Sequence, residues 1–173
     1  MLKKLSFVAI VLVFAFVFNK TTHAQTTELT PEKQTIIEQS CVSAQTVLQR
    51  IQHNDAATRV NRGQGYETLV SRLMTPLNSR ATSRGYNDSA SLMVDTTKRY
   101  QQGLENFKDH YKAYDDAISA SLKVKCKQEP AKFYGYIEEA RRQRQNLASD
   151  VGNLSGLIGE YRENVVKLRS EVQ

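Results

Sequence analysis

The chain is 173 residues long, a length that fits one domain, and its formal net charge is +6. Three of the lysines, Lys3, Lys4 and Lys20, lie within residues 1–24 with no acid beside them, so the remaining 149 residues carry only +3. A balance that small excludes a strongly basic surface and does not point to nucleic acid as a partner.

The first segment has the pattern of an export signal. Lys3 and Lys4 precede an apolar run from Leu5 to Phe18, and small residues at Thr22 and Ala24 fit cleavage before Gln25. Fourteen residues are short of the about 18 that a spanning helix needs. A cleaved signal over 1–24 is therefore expected, with the alternative that residues 5–18 are retained as a membrane anchor. A short polar lead, 25–30, follows.

The body of the chain, 31–173, is expected to be all-α. Thr30 followed by Pro31 and Glu32 marks a helix start: an N-cap hydroxyl, a proline at the first helical position and an acid facing the dipole. Ile37, Cys41, Ala44, Leu48 and Ile51 then recur at four/three spacing. The row turns polar at Asp55, Arg59 and Arg62 and recovers as Tyr66, Val70, Leu73 and Leu77, which requires an extra step of four near Asp55. Pro76 is expected to end this helix, giving a span of about 31–78.

Residues 80–87 read as a connector, after which Asn87 or Asp88 opens a second helix, about 88–126. Its seam is Met93, Thr97, Tyr100, Leu104, Phe107, Tyr111, Tyr114, Ile118 and Leu122, ending at Cys126. Lys127-Gln128-Glu129-Pro130 is a break. The third helix, about 130–172, carries the most regular row: Phe133, Ile137, Ala140, Arg144, Leu147, Val151, Leu154, Ile158, Tyr161, Val165, Leu168 and Val172. Only Arg144 interrupts it. Three long helices with short connectors predict an antiparallel up-down-up three-helix bundle with coiled-coil-like packing.

Folding the rods back near residues 83 and 128 brings Cys41 level with Cys126. An even cysteine count in an exported chain then predicts one disulfide rather than two free thiols. It would close a loop of about 86 residues and contribute about 4 kcal/mol. The same register sets Asp55 level with Arg144 and near Tyr111 and Tyr114, which predicts a buried polar layer in which the two charges pair, with the tyrosine hydroxyls as further partners. Arg62 falls level with Glu105 as a second charged contact. A ligand or ion site at this level is the alternative to a layer that fixes alignment.

Motifs for chemistry are lacking. There is no CxxC, P-loop, GxSxG or inward Glu-x-x-His pair. Outside the leading segment, His53 and His110 read as solvated side chains. No cofactor and no metal is expected, and the chain is not expected to be an enzyme. Gly63, Gly65, Gly152, Gly156 and Gly159 read as points of close helix approach, with a concave binding surface as the alternative. Lys123, Lys125, Lys127 and Lys132 make the second turn locally positive and offer a contact for an anionic envelope polymer.

The function expected is that of an exported, non-enzymatic structural or protein-binding module at the cell envelope or surface. The alternatives are a membrane-anchored sensor or spacer bundle and a binder of anionic envelope polymer. A long seam also fits a second copy of the chain as partner.

Overall fold

A computed structural model describes residues 29–173. The export signal read over 1–24 lies outside the described residues, as does most of the polar lead. About 92 % of the described residues are helical and none is in a strand. They form three packed rods. The first rod runs through α1 (Pro31–Thr68), a π-helical stretch (Leu69–Met74) and α2 (Thr75–Ser83); the second is α3 (Asn87–Lys123) and the third α4 (Pro130–Val172).

The start of α1 follows the local chemistry of its sequence. Thr30 caps it, its Oγ1 accepting from the Lys33 backbone N–H, with Pro31 in the first turn. The end expected at Pro76 does not occur. Proline lacks the N–H of a helical ladder, and its ring crowds the carbonyl four residues back. The chain meets this by widening the turn just ahead of the ring: the Thr75 N–H donates to the Val70 carbonyl, five residues earlier. The rod continues to Ser83.

That wide turn carries one extra residue, so the buried face moves along by one position. Val70, Met74, Asn78 and Ala81 are buried, whereas Leu73 is 48 % exposed and Leu77 only half-buried. The seam expected through Leu73 and Leu77 is therefore corrected to Met74 and Asn78. The connector is also shorter than 80–87. Gly85, at φ +83°, closes the rod; the Gly85 N–H donates to the Thr82 carbonyl and the Tyr86 N–H to the Ala81 carbonyl. This paired pattern needs a left-handed residue after the helix, which glycine adopts without a Cβ penalty.

On α3, every position of the expected row from Met93 to Ile118 is buried. A second buried row of small residues, Ser89, Thr96, Gly103, Ala117 and Ser121, runs beside it. At Gly103 two rods approach closely: a Cβ there would stand 3.2 Å from Leu154 Cδ2 and from Asn153 Nδ2. Gly63, Gly65, Gly152, Gly156 and Gly159 have nothing within 4 Å of such a Cβ, so the close approach expected at them is corrected to Gly103. The helix ends at Lys123, not 126, because Val124 is extended. The Gln45 side-chain amide on α1 donates to the Val124 and Leu122 carbonyls, at 2.9 and 3.2 Å.

Cys126 lies in the turn 124–129 and is disulfide-bonded to Cys41, with the two Cα atoms 5.6 Å apart. Partner positions between α3 and its neighbours fall in number as those of α3 rise. Gln45, Gln52 and Asn78 meet Val124, Asp115 and Thr97; Ser89, Thr96 and His110 meet Glu171, Glu160 and Asp150.

Burial is uneven along the rods. The main core gathers Met74, Met93, Tyr100, Leu104, Phe107, Leu154 and Tyr161 near the end that holds α2. A small cluster of Cys41, Val124, Cys126 and Phe133 lies at the other. Across its 38 residues α1 buries Cys41 alone. Its remaining seam residues, Ile37, Ala44, Leu48 and Ile51, are half-covered.

Candidate functional site

The thin packing of α1 leaves a cleft at mid-length. Asp55, Thr58, Arg59 and Arg62, at three/four spacing, line it from α1; Phe107, Tyr111 and Tyr114 from α3; Arg144, Leu147, Ala148 and Val151 from α4. Its volume is about 360 Å³. Of the polar layer expected here, the tyrosine–carboxylate contact forms and the charge pair does not. Asp55 is half-buried and accepts a hydrogen bond from the Tyr114 hydroxyl, but Arg144 is exposed and no ion pair joins the two among the described residues. A long guanidinium side chain beside an open cleft keeps its head in water at little cost, whereas burying it would require full desolvation.

The contact expected between Arg62 and Glu105 is also corrected. Both are exposed, and Glu105 pairs instead with Lys108 at 3.0 Å, which reaches Glu67 at the same distance. Lys108 lies one turn along α3 from Glu105, so that ion pair forms within a single helix.

The two cleft tyrosines were expected at this level and are there. Their rings meet edge to face, with centroids 6.0 Å apart. The Arg59 guanidinium lies over the Tyr111 ring at 4.3 Å. Burial pushes the Tyr111 phenol up; the Arg59 charge opposes this and the carboxylates of Asp115 and Asp55 add to it. Burial raises Tyr114 further, together with its hydrogen bond to Asp55. Both phenols are therefore held as neutral donors. Tyr114 has an acceptor; the buried Tyr111 Oη has none among the described residues.

Deeper polar contacts lie elsewhere: Thr97 and Tyr161 stand in the expected rows, but their shared partner Asn78 does not. Asn78 Nδ2 donates to Thr97 Oγ1 at 2.9 Å, and the Tyr161 hydroxyl donates to Asn78 Oδ1 at 2.8 Å. Beside them, Asn164 Nδ2 donates to Thr96 Oγ1 at 3.1 Å, and at the surface the Arg99 guanidinium pairs with Glu160. That pairing holds the Glu160 carboxyl below its ordinary value. His110 is corrected from solvated to paired: its Nδ1 stands 2.7 Å from the Asp150 carboxylate on α4.

A second opening, about 580 Å³, lies between α1 and α4 near the disulfide. Ile36, Ile37, Val47 and Leu48 form one wall and Phe133 and Ile137 the other, with Lys33 and Arg141 at its rim. The Lys33 ammonium stands 5.8 Å from the Tyr134 ring centroid. Around the turn beside it, Lys123, Lys125 and Lys127 are exposed, and Lys132 pairs with Glu129 at 3.0 Å. Among the described residues no three His, Cys, Asp or Glu side chains are grouped to hold a metal ion, and no helix is long and apolar enough to cross a membrane. The sequence matches no family model, and no curated protein or solved structure matches the chain.

Proposed function

We propose that this protein is an exported, non-enzymatic binding module of the cell envelope or surface, built as an up-down-up antiparallel bundle with coiled-coil-like packing. The opposed order of the contacts that α3 makes with each neighbour supports that topology. Export is supported by the Cys41–Cys126 disulfide, a bond that persists in oxidising compartments, and by the basic, then apolar pattern of the leading segment.

The observation that carries the binding reading is the half-covered stripe of α1. Beside it, Ile36 is 56 % exposed and Val47 46 %, both lining the groove against α4, so the apolar surface of α1 extends outward past the positions a three-rod seam covers. A partner helix laid in that groove through apolar anchors at three/four spacing would complete the thin side. The test is capture from envelope extract with the disulfide-bonded chain, beside a variant carrying Ile36→Asp and Val47→Asp. Both sites are exposed, so the variant should keep its melting temperature and lose the partner. Equal capture by both proteins overturns the reading, and a mature chain that still carries residues 5–18 by mass spectrometry replaces export with membrane anchoring.

A further inference from the structure

We propose that the mid-length cleft is a binding site for an anion carried on an apolar body, a carboxylate or phosphate head with an aliphatic or aromatic tail. The inference is independent of what occupies the groove between α1 and α4.

Charge is the first argument. Arg59, Arg62 and Arg144 converge on one concavity with Asp55 as the sole carboxylate of its lining. None of the three makes an ion pair among the described residues. Arg50, Arg72, Arg162 and Arg169 are likewise without an ion pair among the described residues; what sets Arg59, Arg62 and Arg144 apart is that all three line one opening. Three guanidinium groups around one opening repel one another, and a bound anion relieves that repulsion while accepting their fork-shaped donors.

The cleft also holds an unused donor. Tyr111 is 5 % exposed, lines the cleft, and its hydroxyl is buried without an acceptor among the described residues. Buried donors in folded proteins nearly always have a partner. An oxyanion entering beside Arg59, whose guanidinium already lies on that ring, would supply one.

The walls argue for the body of the ligand. Phe107, Leu147 and Val151 give one side of the cleft an apolar surface that a bare inorganic ion would leave uncovered. A volume of about 360 Å³ matches a small organic molecule.

The experiment is isothermal titration of the disulfide-bonded chain with four probes below their micellar concentrations: dodecanoate, dodecyl phosphate, dodecanol and inorganic phosphate. At least one of the two amphipathic anions should bind at one site, on the order of tenfold more tightly than either dodecanol or inorganic phosphate. The stronger of the two assigns the head as carboxylate or phosphate. Arg59→Gln and Arg144→Gln, at exposed positions that leave the fold intact, should each weaken it by a comparable factor, and Asp55→Asn should tighten it. Lys125→Gln should change nothing. No saturable binding of either anion, dodecanol binding as tightly as both, or full affinity in the two arginine variants overturns the proposal.

Discussion

Asn78 is 6 % exposed, and each end of its side-chain amide is engaged: Nδ2 donates to Thr97 on α3, and Oδ1 accepts from Tyr161 on α4. One amide thus ties all three rods together. Replacing it with leucine, close in volume, removes both bonds and leaves the Tyr161 hydroxyl with only the Met74 carbonyl at 3.2 Å. Asn78→Leu should cost about 2 kcal/mol in urea denaturation, because desolvated partners are left with fewer bonds than they had in water. Tyr161→Phe should cost about 1 kcal/mol, and the double variant less than the two together, since both changes break one shared contact. Strict additivity would show that the amide and the phenol act separately. Asp55 differs in kind: with Arg144 exposed no buried charge is stranded by its loss, and its structural effect runs through the Tyr114 hydroxyl alone.

Among the elements, α3 and α4 were legible because burial follows a single period along most of their length, and large residues such as Tyr100, Phe107, Leu154 and Tyr161 mark it. The second half of the first rod was not. Pro76 reads as a stop in any count of ladder donors, and the alternative, a widened turn that keeps the rod going, is decided by the core of Met93, Tyr100 and Tyr161 waiting beyond it. The cleft was half-legible. Asp55, Arg62 and Arg144 stand out as charges in apolar rows, but whether charges at one level are buried together or face water depends on how tightly α1 is drawn in, which no spacing records. The glycines show the same limit, since composition alone cannot tell open surface from contact. Gly156→Ala, with nothing within 4 Å, should stabilise α4 by about 1 kcal/mol through helix propensity. Gly103→Ala should destabilise the protein despite the same propensity gain, because fully buried Leu154 has no room to retreat from a Cβ at 3.2 Å. Thermal melts of the two variants moving in the same direction would contradict the close approach of α3 and α4.

At the scale of the whole molecule, the cores divide the work of holding the rods. The α2 end is held by a large apolar cluster; at the far end the disulfide fastens a helix that buries little of its own surface. Cys41→Ser removes a cross-link spanning 85 residues, worth about 4 kcal/mol, and should lower the melting temperature by about 10 °C. Gln45 and Gln52 would remain as the side-chain ties of that end to α3.

Tyrosine burial along α3 and α4 sets how the assembly responds to alkali. Burial pushes Tyr100 and Tyr161 from 10.0 to about 12, and Tyr111 and Tyr114 are raised as well. A phenol whose folded value lies above its unfolded one favours the fold in full below pH 10; that contribution is lost as pH rises through 10 towards 12, because the unfolded chain ionises first. The lysine pairs titrating nearby in pH are largely exposed and contribute little. Stability should therefore fall steeply above pH 10, with the absorbance of these four tyrosinates appearing late and together with the loss of helical circular dichroism. In urea the same phenols should titrate near 10. Gradual ionisation of all eight tyrosines near pH 10, with the helical signal unchanged, would mean that water reaches the rings between the rods and that the packing along α3 is looser than its burial implies.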